Sequence, residues 1–250
     1  ITYLNELDIY EENYMTENFS NTYFSDVVCS RIGYVREFIE NEFVNGKINL
    51  KEKAMLITSL LYGLDKIANT CGHYDTKKKN VELSSSLVLS VPSPNNDLKQ
   101  NECFNCDTNE LVKNIVSDVV YIDPPYNSRQ YCDAYHLVEN IARWEKPVDR
   151  GIAKKMDRTA LKSRYCTRSA PDAFSELIKN INAKYIVVSY NNMATKGNDR
   201  SNAKISDIEL ITALESKGAV KVFSEQFKAF TTGKSEHTDN KERLFVCRCN

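Results

Sequence analysis

Asp118-Val-Val-Tyr-Ile122 is a compact apolar run that stops at Asp123-Pro124-Pro125-Tyr126, and this junction constrains the fold more than any other stretch of the chain. A run of this kind suits a strand covered on both faces, as in a sheet flanked by helices. Two consecutive prolines follow, with no amide hydrogens and a restricted φ, so the backbone cannot continue in the sheet. The strand therefore ends on an extended rim that presents the Asp123 carboxylate, the Pro124 carbonyl and the Tyr126 ring to one flat substrate. In open α/β sheets, ligands collect at the carboxyl ends of strands.

The pattern around this junction is α/β. From residue 102 onward, strand-like and helical segments alternate: a brief strand at Glu102–Cys106, a helix from Asp107 or Thr108 through Val116, the run at 118–122, and a helix over Ala134–Trp144. A helix over Phe174–Ile181, a strand at Tyr185–Tyr190 and a helix over Ile205–Lys217 opened by Ser206 or Asp207 come next. Two closing strands, Val220–Phe227 and Leu244–Cys249, flank a polar turn at 231–240. Such alternation predicts a mostly parallel sheet with helices on both faces and a closing β-hairpin.

Upstream, Val27, Val28, Ile32, Val35, Phe38, Ile39 and Phe43 recur three and four apart, as do Ala54, Ile57, Leu60, Leu61, Leu64 and Ile67, so Tyr23–Phe43 and Leu50–Asn69 read as helices. Ser86–Val91 reads as a short strand, and residues 1–23 show no clear period. These signals divide the chain into an N-terminal segment (1–23), a helical insertion or subdomain (24–80) and an α/β domain (81–250). At 250 residues, one large domain with an insertion is the expected size class.

An apolar fraction of 42% and a charged fraction of 27% are those of a globular protein. With no apolar run long enough to span a bilayer and an acidic start, no membrane association and a cytoplasmic location are expected. The net charge of -1 conceals an asymmetry. Residues 1–49 are acidic, whereas residues 146–169 hold Lys146, Arg150, Lys154, Lys155, Arg158, Lys162, Arg164 and Arg168 against only Asp149 and Asp157. That segment reads either as a polyanion-binding face or as a solvated surface. Cys103, Cys106, Cys247 and Cys249 supply four thiols, but the one-residue spacer of the second pair does not suit zinc, so no metal is expected. His73, His136 and His237 stand singly, and Trp144 reads as a packing anchor.

Tyr121-Ile-Asp-Pro-Pro-Tyr-Asn-Ser-Arg-Gln-Tyr131, continuing to Tyr135-His-Leu-Val-Glu-Asn-Ile-Ala-Arg-Trp144, resembles adenine-specific (N6) DNA methyltransferases of restriction–modification systems. Ile186-Val-Val-Ser-Tyr-Asn-Asn192 and Lys241-Glu-Arg-Leu-Phe245 are similar to later strands of that family. The resemblance implies a Rossmann-like methyltransferase sheet, S-adenosylmethionine as methyl donor and double-stranded DNA as substrate. It makes Asp123, Pro124, Pro125 and Tyr126 the catalytic group and matches Asp107 to an acid that touches the adenosine of the donor. Asp107 reads alternatively as a helix cap. The helices of residues 24–80 fall where related enzymes carry target-recognition structure.

An exocyclic amine is a poor nucleophile because its lone pair is delocalised into the ring. Hydrogen bonds from its two N–H groups to the Asp123 carboxylate and the Pro124 carbonyl favour a tetrahedral nitrogen with the lone pair aimed at a methyl donor. Tyr126 then stacks on the flipped base. Arg129 and Tyr131 are expected at phosphate or base. Lys154, Lys155 and Arg158 are expected at phosphates, whereas Lys228, Lys234 and Arg243 are weaker contacts at best. Ser189-Tyr190-Asn191 either lines the base pocket or simply ends a strand.

The chain departs from the family at one point: it has no glycine-containing Phe-x-Gly-x-Gly turn for the methionine end of the donor. That element is expected upstream of Ile1, so a missing N-terminal half, or one subunit of a split enzyme, joins a cognate restriction endonuclease among the expected partners. A non-catalytic DNA-binding remnant is the competing reading, and cytosine N4, RNA or a protein amide are alternative acceptors.

Overall fold

The structure, a computed structural model, describes residues 1–83, 86–93, 100–148, 151, 154–192, 194, 202–226 and 241–250. In chain order these hold α1 (Thr2–Glu6), α2 (Tyr14–Phe19), α3 (Asp26–Val44), α4 (Leu50–Ile67), α5 (Thr108–Leu111), β1 (Val116–Ile122), α6 (Tyr131–Ala134) and α7 (His136–Arg143). They continue with α8 (Ala170–Asn180), β2 (Asn182–Asn191), α9 (Asp207–Glu215), β3 (Gly218–Gln226) and β4 (Lys241–Cys249). The chain forms two compact units, Ile1–Asn101 with Tyr131–Leu161 and Glu102–Gln130 with Lys162–Asn250.

The first unit is helical. The spacing that predicts helices at Tyr23–Phe43 and Leu50–Asn69 buries Ile32, Val35 and Ile39 of α3 and Leu60 and Leu64 of α4 in one core. Ser25 caps α3 by accepting from the Val28 amide, and Asn49 and Glu52 exchange hydrogen bonds at the start of α4. Residues 1–23, which show no period, nevertheless carry α1 and α2, helices too short to display one. The local signal is the Asn13–Thr16 box: Asn13 Oδ1 accepts from the Thr16 amide at 3.3 Å, and Thr16 Oγ1 accepts from the Asn13 amide at 2.8 Å.

The same Asn13 explains Gly33 on α3, where an ideal Cβ would lie 2.1 Å from Asn13 Oδ1. Gly33→Ala must push the cap aside, so it is expected to destabilise the protein by about 1–3 kcal/mol despite alanine's better helix propensity. Urea denaturation checks this. An unchanged midpoint would show that the cap yields freely.

Arg36 is fully buried in α3. Its Nε donates to the Ile141 carbonyl at 2.7 Å, its Nη2 to Glu40 at 2.6 Å, and its guanidinium lies 5.4 Å from the Trp144 ring centre. Trp144 is buried and closes α7 in a left-handed conformation, φ 58, consistent with its expected anchoring role. His136 is also a core residue, with Nε2 3.0 Å from the Tyr74 carbonyl, whereas His237 lies outside the described residues. The strand expected at Ser86–Val91 does not form. The Asn5 side chain instead takes both backbone groups of Leu89, at 2.8 and 2.9 Å, so an amide side chain replaces a partner strand.

The second unit is α/β, as the alternation predicts. Its sheet has the order β1-β2-β4-β3, with β1 parallel to β2 and β4 antiparallel to both β2 and β3. Three of the four described strands thus run one way, and the reversed β4 is threaded between β2 and β3. Ile186, Val188 and Tyr190 of β2 and Phe245 and Cys247 of β4 are buried with Phe174, Leu177 and Ile178 of α8 and Leu210 and Leu214 of α9.

The described helices of this unit pack on that one face. Opposite it, Val119, Tyr121, Tyr185, Phe223 and Leu244 are exposed, so β1 is not covered on both faces as its unbroken apolar run suggests. The period of two along a strand delivers only Val120 and Ile122 to the helices.

Two local expectations fail. Residues 102–106 are not a strand, and the helix begun at Thr108 ends at Leu111, followed by a 3-10 turn over Val112–Asn114. Val116 pairs with Asn182, so the sheet claims residues that helical spacing assigned to the helix. Arg243, weighed as a DNA contact, is buried on β4. It donates to Asp207 at 2.6 Å and to the Asn191 carbonyl at 2.6 Å, fastening β4 to α9 and β2. Lys228, Lys234, Arg150 and the polar turn at 231–240 lie outside the described residues. Among the described residues, no helix is long and apolar enough to cross a membrane.

Candidate active site

β1 and β2 run in parallel with Ile122 opposite Val188, so the chain leaves β1 at Asp123 beside Ser189. Pro124 is buried, whereas Asp123 is exposed at the rim. The Tyr126 hydroxyl closes the loop: it donates to Asp123 Oδ1 at 3.0 Å and lies 3.0 Å from Ser189 Oγ. With its single proton on Asp123, the phenol oxygen accepts from Ser189. Burial raises the Tyr126 pKa well above that of an ordinary phenol, so this proton stays in place through the neutral range.

The backbone of the loop is held from beneath. The Tyr126 carbonyl accepts from the Lys204 amide at 2.8 Å and from the Tyr190 hydroxyl at 3.2 Å, and the Tyr190 oxygen accepts from the Ile205 amide at 3.0 Å. The Tyr126 and Tyr190 rings meet edge to face with centres 5.0 Å apart. The rim is thus preorganised by packing that precedes any ligand.

Ser189 also lines an open cleft of about 440 Å³ with Phe223, Ser224, Glu225, Glu242, Arg243 and Leu244. Burial and the nearby Asp123 charge raise the Glu242 carboxyl above the usual carboxylate value, against the opposing pull of Arg243. Glu225 is its cross-strand partner on β3. Sequence reasoning did not find Glu242. Its signal is the alternation in Lys241-Glu-Arg-Leu-Phe245, where burial of Arg243 and Phe245 sends Glu242 and Leu244 to the other face. That signal acquires meaning only once β4 is known to lie beside β2.

The remaining predicted residues are distributed as follows. Asp107 is exposed and caps α5, its Oδ1 accepting from the Asn109 amide at 2.8 Å. Arg129 is exposed in the loop that follows Tyr126, and its carbonyl accepts from the Cys166 thiol at 3.3 Å. Tyr131 belongs to the first unit, is exposed, and stacks on Tyr135 with centres 6.0 Å apart and planes at 16°. Lys154, Lys155 and Arg158 also belong to that unit; Lys155 is paired with Asp75, and Arg158 with Asp133 at 2.7 Å. No disulfide joins any of the eight cysteines, and among the described residues no group of three His, Cys, Asp or Glu side chains is arranged to hold a metal ion.

The decisive comparison is with protein families, where residues 2–201 match the model of the D12 class N6 adenine-specific DNA methyltransferases. The chain belongs to this family. Among curated relatives, it is 40% identical over 201 residues to the modification methylase StsI of Streptococcus sanguinis, covering 77% of this chain and 31% of that protein. It is 30% identical over 236 residues to the type II methyltransferase M.NlaIII of Neisseria lactamica, covering 93% and 67%. It is 29% identical over 248 residues to M.FokI of Planomicrobium okeanokoites, covering 96% and 37%. The chain thus spans about a third of the StsI and M.FokI proteins. No solved structure matches it. The matched residues include the Asp-Pro-Pro-Tyr loop.

Proposed function

We propose that the chain carries the amine-orienting site for S-adenosylmethionine-dependent methylation of adenine N6 in double-stranded DNA, as the modification arm of a restriction–modification system. The observation that carries this reading is the Asp123–Tyr126–Ser189 hydrogen-bond chain at the ends of parallel strands β1 and β2, in a chain of this family. Asp123 and the Pro124 carbonyl accept from the two N–H groups of a flipped-out adenine, directing the nitrogen lone pair toward the incoming methyl carbon. Pro125 keeps the rim extended, and the Tyr126 ring supplies the stacking platform. The donor supplies an activated methyl group.

Asp107 suits a place beside the donor's adenosine, because its carboxylate is exposed even while one oxygen caps α5. The donor's methionine end would be held by another segment or subunit, since the chain lacks the glycine turn. Arg129 and Tyr131 are assigned to phosphate or base, and Lys154, Lys155 and Arg158 to phosphates, the last two after exchanging their present carboxylate partners. Residues 24–80 are assigned to target recognition, the protein to the cytoplasm, and a cognate endonuclease to the same system.

The test is methylation of plasmid DNA by the full-length protein with labelled donor, read as N6-methyladenine after nuclease digestion. No N6-methyladenine would sink the reading. Tyr126→Phe keeps the platform but removes the hydroxyl that fixes Asp123. The loss of about 0.5–1.5 kcal/mol predicts a single-turnover rate about two- to thirteenfold lower with base stacking retained.

A further inference from the structure

We infer that Glu242 is a second functional carboxylate of this site, placed to take up the proton that the adenine amine sheds on methylation. The inference rests on the amine-site reading above. When the nitrogen lone pair forms the new N–C bond, the electrons of the donor's C–S bond remain on sulfur, and the nitrogen is left positively charged with both of its protons. One proton must leave to give the neutral secondary amine. Asp123 is the nearest base, but it is needed as a hydrogen-bond acceptor and is already tied to Tyr126.

Glu242 satisfies the placement this step requires. It lines the cleft of about 440 Å³ together with Ser189, and Ser189 is bonded to Tyr126, which is bonded to Asp123. The cleft has room for a base edge and water, so the proton can cross without the two carboxylates touching. The groups facing Glu242 are Asp123 and Tyr126 from the loop after β1, Asn191 from β2 and Glu225 from β3. Arg243, next to it on β4, is committed to Asp207 and the Asn191 carbonyl. This acidic surround strengthens the attraction of Glu242 for a proton, and its negative charge lies close to where positive charge develops on nitrogen.

Single-turnover methylation by the full-length protein, measured across pH with saturating DNA and donor, tests this. Glu242→Gln is expected to lower the maximal rate by about 10²-fold, the lower end of the range for general-base groups. It should also abolish the acid limb of the wild-type profile while leaving DNA affinity unchanged. Glu242→Asp should restore part of the rate and the limb. A second readout needs no catalysis: carboxyl-labelled glutamate NMR on the ligand-free protein should show Glu242 titrating at lower pH in Asp123→Asn than in wild type. If Glu242→Gln keeps the wild-type rate and profile while Asp123→Asn is inactive, the proton role is overturned and the amine site stands. If Asp123→Asn also retains full activity, the amine site itself falls, and this inference with it.

Discussion

Asp123→Ala is expected to lower single-turnover N6 methylation by about 10²–10³-fold, the usual cost of removing one preorganised polar partner from a reacting centre. The effect should fall on chemistry and not on folding. Asp123 is exposed at the rim, and its side chain is bonded to the Tyr126 hydroxyl, while the loop backbone is fixed independently by Lys204 and Tyr190. The denaturation midpoint should therefore move by no more than about 0.5 kcal/mol equivalent. Asp123→Asn separates charge from shape: it retains an oxygen acceptor but loses the negative charge near the developing ammonium. Plasmid protection against a restriction enzyme of the same specificity, together with direct counting of N6-methyladenine, measures both variants. Wild-type rates in both would remove Asp123 from the mechanism.

Arg36→Ala should have the largest effect on stability, a loss of about 3 kcal/mol, the cost of deleting a fully buried, hydrogen-bonded guanidinium whose carboxylate partner is only partly buried. The guanidinium joins α3 to the end of α7 through the Ile141 carbonyl and leaves Glu40 with Lys53 as its remaining cation, at 2.7 Å. Burial by itself would raise the Glu40 carboxyl, but hydrogen bonds from Lys53 and Arg36 outweigh it and hold Glu40 below the ordinary value of 4.5. A depressed carboxyl adds stability above its unfolded-state pKa and loses that contribution as pH falls through the folded-state value. The gap between wild type and Arg36→Ala should thus be full at neutral pH and narrow below about pH 4.5. Urea titrations at pH 7 and pH 4 check the size and the sign. A gap that widens in acid would contradict the ion-pair account.

Legibility in the sequence followed the length of the signal. The long apolar periods of α3 and α4, the strand before Asp123 and the Ser206 cap of α9 were all readable, because many residues repeat one message or a cap has a local signature. α1 and α2 were not, since helices of five and six residues end before a period can register. The exposure of Val119 and Tyr121 was hidden because a continuous apolar run does not say which alternate residues meet the helices. The roles proposed for Asp123 and Tyr126 rest on four adjacent residues. Glu242 could not be found in this way, because its nearness to Asp123 depends on the order β1-β2-β4-β3, which local sequence does not encode.

That strand order also sets a timetable for synthesis. β3 leaves the ribosome before β4, yet among the described strands it pairs with β4 alone, and β4 in turn seals the open edge of β2. A nascent chain that has reached residue 226 therefore holds the Asp123 rim and Ser189 but has neither the wall carrying Glu242 nor a sheet that includes β3. At ordinary elongation rates of about 5–20 residues per second, the gap closes within seconds. Until then β3 is an unpaired edge open to other chains, and the cleft waits on β4 for its completion.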